Sequence, residues 1–427
     1  MKKIYLLALS TILLFSTACA SVESENDISA ISKNESESSE YTASQEASDE
    51  ESSIVEFFES VESIISTEES TVSENSELGN NESETESETD ADSTSESKTE
   101  TESKPDNTQD SSISEPETDD NSSVSAVEPD GKVFVSNGIL IAGTRGMEQY
   151  YGSETSGTQY SAYVSAFKND LADNVNVYSI VVPHASCYYA PEEYSNLLTR
   201  GQVNFNNLKN TTASNVNYVD VYATLANHVD EDIYPRTEHH WNALGAYYAA
   251  EEFAKMANVS FDGLETYEKI VKESFVGSLY AFSKSSVLSS NPEDFTIYKP
   301  TREYTAYFCN EGNYDFEKYN YSRDTVVFNV KSYAGAFLGG DSVWVKIVTG
   351  NNTGRKLVIF KDSYGNAFAP FTIGSFDEIY VVDIRNYRRN GIKLCEDVGA
   401  TDVAFVVSGF TATGSVYKNI ERIRTAY

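Results

Sequence analysis

From Val133 onward the chain alternates short apolar runs with stretches of helical period. Ile139-Leu140-Ile141-Ala142, Val175 to Val182, Tyr218 to Val221, Leu357 to Phe360, Ile379 to Val382 and Val403 to Val407 are nearly continuous in apolar, often β-branched residues. Runs of this kind suit strands buried on both faces of a parallel sheet. Between them, Tyr160, Tyr163, Val164, Phe167 and Leu171 recur at helical spacing, as do Tyr247, Ala250, Ala254 and Ala257. The alternation predicts an α/β sandwich with a mostly parallel sheet over residues 131–427. Residues 259–350 break the rhythm. There, short Tyr-, Phe- and Val-bearing stretches meet Gly-Gly, Asn-Pro and Asn-Asn turns, which reads as a mixed, β-rich insertion: a small antiparallel sheet, or a lid.

The first 130 residues carry no such pattern. Lys2 and Lys3 precede an apolar stretch from Ile4 to Phe15, too short to span a bilayer, and Ser16-Thr17-Ala18-Cys19-Ala20 follows. Residues 1–20 therefore read as a secretory signal peptide. The small residues before Cys19 resemble a bacterial lipobox, which would make Cys19 the lipidated first residue of the mature chain. Ser16 stands where a lipobox usually has a large aliphatic residue, and Ala18-Cys19-Ala20 also fits ordinary cleavage after Ala20. Both readings export the protein; the first anchors it by lipid to the outer face of a bacterial cytoplasmic membrane.

Residues 21–130 are Ser, Glu, Thr, Asp and Asn in near-random order, a composition that buries too little apolar surface to offset the entropy of ordering. They read as a disordered acidic tether, about 60 Å end to end as a neutral coil and longer under charge repulsion. Charge follows the same division. The net charge of −36 splits into −31 for residues 21–130 and −7 for residues 131–427, with Lys2 and Lys3 making up the difference. Neither part has a basic patch, which excludes the usual mode of nucleic-acid binding. Cys187, Cys309 and Cys395 are widely spaced and odd in number, giving neither a disulfide framework nor a zinc pattern.

Two segments carry candidate chemistry. Lys361-Asp362-Ser363-Tyr364-Gly365-Asn366 follows an apolar strand and precedes a short helix stopped near Pro370. Ser363 then sits at the carboxyl edge of a parallel strand, where open α/β sheets bind ligands. A helix start there supplies backbone N–H groups for an oxyanion, and Gly365 permits a tight turn. The competing reading makes Ser363 and Asp362 ordinary helix caps. The second segment is Arg236-Thr237-Glu238-His239-His240-Trp241. A serine nucleophile needs a base oriented by a third group. Glu238 and His240, two apart, project to one side of an extended chain, with His239 turned away and Trp241 walling the site. Taken alone, Glu238, His239 and His240 also suit a metal site or plain structure.

Together the segments resemble the bacterial DHHW family, named for an Asp-His-His-Trp motif. The resemblance runs through Glu238-His239-His240-Trp241, Gly245-Ala246-Tyr247-Tyr248, Lys361 to Asn366 with Pro370, and Val381-Val382-Asp383-Ile384-Arg385. The family is similar to SGNH-type hydrolases, especially the exported alginate O-acetyltransferase group, whose Asp, His and Ser form a triad. The resemblance implies an SGNH-hydrolase-like sandwich with Ser363, His240 and Glu238 as nucleophile, base and orienting carboxylate. It also implies acetyl transfer to a cell-surface or exported polysaccharide, with a membrane-bound O-acyltransferase as partner supplying the acyl group and no metal or diffusible cofactor. Transfer to water makes the same site an acetylesterase. Glu238 departs from the motif's aspartate, which raises the alternative of a catalytically inactive carbohydrate-binding or scaffold protein. A metallohydrolase using Glu238, His239 and His240 is a further rival.

The remaining candidates are secondary. Asn366 and Tyr364 in the serine turn, His184 after the strand ending near Pro183, and Arg385 after Asp383 are candidates for oxyanion or substrate contact; each also fits a structural role. Gly340-Asp341-Ser342 spells an esterase tripeptide, but no helix follows it, so Ser342 is a poor nucleophile. His228 reads as a surface residue. The 29 tyrosines fit sugar-stacking platforms at Tyr150-Tyr151 or Tyr188-Tyr189, and fit a tyrosine-rich core equally.

Overall fold

The computed structural model describes residues 131–309 and 316–427; the leader with Cys19 and the acidic tether lie outside the described residues. Three short strands open the domain as an antiparallel sheet: β1 (Val133–Ser136), β2 (Ile139–Ala142) and β3 (Arg145–Glu148). The Ile139–Ala142 run is thus the middle of a hairpin sheet, not a strand of the parallel one. Its continuous apolarity has another cause. Ile139 and Ile141 pack with Leu279 and Leu288, while Leu140 and Ala142 join the main core, so both faces are covered.

The other strands are β4 (Asn176–Val182), β5 (Asn217–Val219), β6 (Tyr267–Phe275), β7 (Glu293–Pro300), β8 (Tyr304–Cys309), β9 (Tyr321–Arg323), β10 (Trp344–Thr349), β11 (Lys356–Lys361), β12 (Glu378–Asp383) and β13 (Asp402–Ser408). Eight of them form one mixed sheet in the order β5-β4-β13-β11-β12-β10-β8-β9. The first five run parallel, as the apolar runs predict, and β10, β8 and β9 add on antiparallel. The 259–350 stretch therefore divides. Only β6 and β7 stand apart as a two-stranded ribbon, whereas β8, β9 and β10 widen the main sheet.

Pleat alternation assigns the sheet's two faces. Tyr160 and Phe167, on the helix Glu154–Asp170, meet Ser179 and the rings of Phe360 and Phe405. One residue out of phase, Tyr178 meets Phe253 of the helix Ala243–Ala257 on the opposite face. Helices thus cover both sides of the central strands, which explains why β13 is buried along its whole length. Tyr150 and Tyr188 are core residues with their hydroxyls bonded to Thr413 and the Tyr222 carbonyl; Tyr151 is exposed. Because β4, β13, β11 and β12 are parallel, His184, Phe410, Ser363 and Arg385 all follow carboxyl ends at one edge of the sheet.

Candidate active site

The Glu238 segment is bent rather than extended, and a distant strand holds it. Glu293, at the start of β7, accepts from Arg236 N–H with Oε2 and from both the N–H and hydroxyl of Thr237 with Oε1, at 2.7, 2.7 and 2.6 Å. Thr237 in turn accepts from Gly277 N–H through its hydroxyl and from Leu279 N–H through its carbonyl. This lacing presents Glu238 to Ser278, at the start of the helix Ser278–Ser283.

Glu238 Oε1 lies 2.9 Å from His240 Nδ1, and both residues are buried. The same oxygen accepts from the His239 N–H at 3.0 Å and the Ser278 hydroxyl at 2.7 Å, and Oε2 accepts from the Ser278 N–H at 2.9 Å. Burial works to raise the Glu238 carboxyl, but His239 and then His240 beside it hold it well below the usual carboxylate range. An ionised carboxylate only accepts, so the His240 proton sits on Nδ1 and the basic lone pair on Nε2. That is the tautomer a general base requires.

His239 does not turn away, as an extended chain would require. Its Nδ1 is 2.5 Å from Ser278 Oγ and 2.9 Å from Glu238 Oε1. With Glu238 and His240 it lines a cavity of about 200 Å³ whose other walls include Phe275, Phe282 and Tyr333. The Tyr333 ring stacks flat on His240 at 4.4 Å. Ligand atoms of Glu238, His239 and His240 lie within 4.8 Å of one another, so the trio has the composition of a three-ligand metal set. Hydrogen bonds already occupy both Glu238 oxygens, and a cation would have to displace several of them.

The serine turn lies beside His240 through Tyr364. The Trp241 indole N–H donates to the Tyr364 carbonyl at 3.0 Å, and the Tyr364 ring lies 4.9 Å from that of His240. Ser363 is buried between β11 and the short helix Gly365–Phe368. Asp362 fixes the turn, accepting from Tyr364 N–H with one oxygen and from Ser408 N–H, at the end of β13, with the other. The N–H groups of Gly365 and Asn366 bond to the carbonyls of Asp362 and Ser363. The turn is thus internally bonded, and it offers an oxyanion fewer donors than a bare helix start would. Gly365 has no positive φ. Its need is space: a Cβ there would stand 2.4 Å from the Lys361 Cβ.

The secondary candidates are all held by protein groups. Phe410 N–H donates to His184 Nε2, so Nδ1 carries the proton and faces the Tyr364 hydroxyl at 3.0 Å; that hydroxyl donates on to the His239 carbonyl at 2.7 Å. Burial pushes the Tyr364 phenol well up, so it stays a donor. His184 and Tyr364 thereby hold the histidine loop. Asn366 gives its Nδ2 to Asp341, while its Oδ1 is buried with no hydrogen-bond partner among the described residues. The amide is therefore set to receive a hydrogen bond at Oδ1, and its second Nδ2 hydrogen remains available to donate. Arg385 bonds Asp383 and Asp341, which also flank the buried Lys361 at 2.9 and 3.0 Å. In Gly340-Asp341-Ser342 the aspartate joins this cluster, accepting from Lys361, Asn366 and Arg385. His228 is half-buried, stacked on Tyr248 and paired with Glu231. Cys187, Cys309 and Cys395 are buried thiols.

A mixed α/β sheet with a Glu-His pair and a serine turn at its carboxyl edge defines the class, and the comparisons fix the family. The family described as "DHHW protein" matches residues 72–382. A DHHW family protein from Eubacterium siraeum has 38% sequence identity and a TM-score of 0.63, over 68% of this chain and 97% of that one. The chain belongs to the DHHW family. Bacillus cereus PatB1 shares the fold, with a TM-score of 0.50 and 17% identity over 67% of this chain and 98% of that one. The O-acetyltransferase domain of Pseudomonas putida AlgJ aligns with a TM-score of 0.37 and 11% identity, over 68% and 98% of the two chains. No curated protein matches the chain.

Proposed function

We propose that the domain is an SGNH-like, serine-dependent acyltransferase that O-acetylates a cell-surface or exported polysaccharide. In this reading His240 Nε2 takes the Ser363 hydroxyl proton as Oγ attacks the acetyl carbonyl of a donor. Glu238 holds the imidazole and stabilises the imidazolium. The leaving group departs with the proton from His240, and acetyl-Ser363 remains. A sugar hydroxyl, deprotonated by His240, then attacks the acetyl carbon and releases Ser363. The same cycle with water is the acetylesterase reading. A membrane-bound O-acyltransferase is the proposed donor partner, and a Cys19 lipid anchor with the acidic spacer the proposed tether.

The observation that carries the reading is the buried 2.9 Å contact between Glu238 and His240 Nδ1, which assigns the basic nitrogen to Nε2. The Trp241–Tyr364 hydrogen bond supports it by tying the histidine segment to the serine turn. The test is turnover of p-nitrophenyl acetate by the full chain, with trapping of an acetyl adduct on Ser363. Loss of adduct and turnover in Ser363→Ala supports the enzyme. Equal turnover by both proteins refutes it and leaves the inactive, glycan-binding reading.

A further inference from the structure

Glu238 stands where the family motif has aspartate, and its surroundings are shaped to that difference. We propose that Gly277 and Ser278 form a cradle matched to the longer glutamate, making Ser278 a positioning residue and Glu238 a working carboxylate; the inference rests on the acyl-transfer reading.

Ser278 grips both carboxylate oxygens at once, its N–H on Oε2 at 2.9 Å and its hydroxyl on Oε1 at 2.7 Å. Two bonds from one residue fix the plane of the carboxylate and aim Oε1 at His240 Nδ1. The Ser278 hydroxyl also meets His239 Nδ1, which itself lies 2.9 Å from Glu238 Oε1, so one hydroxyl ties the carboxylate and the neighbouring imidazole together. Gly277 makes the room. A Cβ there would stand 2.6 Å from the Glu238 Cβ and 2.8 Å from its Cα, which any side chain would present, and also 2.6 Å from Oε2, the contact that belongs to the longer glutamate. The backbone at Gly277 is ordinary, at φ −90°, so space alone calls for glycine. An aspartate here is shorter by one carbon, about 1.5 Å of bond. It cannot hold both Ser278 donors and still reach His240 Nδ1. Restoring the family's aspartate therefore damages this site.

The test uses the full chain with p-nitrophenyl acetate. Glu238→Asp and Ser278→Ala are expected to lower kcat about 10- to 100-fold, the scale of a misplaced catalytic group, with KM within about twofold. Ser278→Thr, which keeps the hydroxyl, should recover most of the loss, and unfolding midpoints separate misplacement from misfolding. A second readout is independent of turnover: the low-field proton resonance of His240 Nδ1–H. It should shift in Glu238→Asp and Ser278→Ala and stay in place in Ser363→Ala. If Glu238→Asp matches or exceeds the parent in kcat with its resonance unmoved, the cradle is wrong although the acyl-transfer reading stands. A parent without Ser363-dependent turnover, but with a resonance that responds to Ser278, overturns the acyl-transfer reading and retains the cradle as the holder of His240.

Discussion

The indole N–H of Trp241 donates to the backbone carbonyl of Tyr364 across 123 residues of sequence, and both groups are buried. The bond joins the loop that carries His240 to the turn that carries Ser363. Trp241→Phe keeps a ring in place but leaves a buried carbonyl unsatisfied, a cost of about 1–3 kcal/mol. Denaturant unfolding should show that loss. Turnover of p-nitrophenyl acetate should fall further than stability predicts, because the two halves of the site lose their shared register.

Glu293 offers a second test of how the loop is held. Its carboxylate takes three hydrogen bonds from Arg236 and Thr237, immediately before Glu238. Glu293→Ala strands two backbone N–H groups and frees the segment. On the proposed acyl-transfer reading, the expected outcome is a kcat about tenfold lower or worse with KM little changed, since a small displacement of an oriented base costs that much. Glu293→Gln, which retains one acceptor oxygen, should fall between the two.

Much of this arrangement is legible in the sequence. Val403 to Val407 and Leu357 to Phe360 read as buried parallel strands because nothing polar interrupts them. Glu238 and His240 do meet, as expected, but in a bent segment held by Ser278 rather than through same-side projection from an extended chain. What escapes has a physical reason in each case. His239 defies the alternation rule because its segment is bent and Ser278 supplies a local partner. Ser278, Glu293 and Asp341 come from residues 259–350, whose commonplace residue types give no local signal. They matter only because β6 to β10 fold back against the site. Gly340-Asp341-Ser342 does stand out, but as a serine motif, whereas Asp341 joins the cluster.

The pH dependence of stability follows from two kinds of buried group. Burial raises the carboxyls of Asp341 and Asp383, but Arg385 and then Lys361 hold both below the usual range, as the histidines do for Glu238. A depressed carboxyl contributes stability that is present above its unfolded value, about 4, and lost as pH falls through the folded one. Lys361 is the opposite case. Burial lowers it, but Asp341 and Asp383 raise it above its ordinary 10.5, so its contribution is full below that value and lost as pH rises through the raised one. Unfolding midpoints should therefore fall progressively below about pH 5. Asp341→Asn should blunt the acid limb.

The charge cluster itself is a sharper target than its titration. Lys361 and Asp383 are almost wholly buried, and Asp383 touches both Lys361 and Arg385. Removing one member of such a cluster leaves an uncompensated buried charge, at about 3–5 kcal/mol. Asp383→Ala should lower the unfolding free energy, read from denaturant titration, by that amount, far more than an exposed pair such as Lys393–Asp397, whose loss should be near the resolution of the measurement.

Gly365 links the cluster to the serine turn. The helix after Ser363 starts so close to β11 that a Cβ at Gly365 would stand 2.4 Å from the Lys361 Cβ and 3.1 Å from its Cγ. Lys361 cannot swing aside, because its ammonium is pinned between Asp341 and Asp383. Gly365→Ala must therefore push the turn itself outward, carrying Ser363 and the Tyr364 carbonyl that receives the Trp241 indole. Overpacking of this kind typically costs about 1–3 kcal/mol. A shift of about 1 Å at a reacting hydroxyl costs on the order of a hundredfold in rate. The variant should fold, unfold at a modestly lower denaturant concentration, and lose nearly all Ser363 acetylation. Full retention of acetylation would mean that the position of the turn does not govern the reaction.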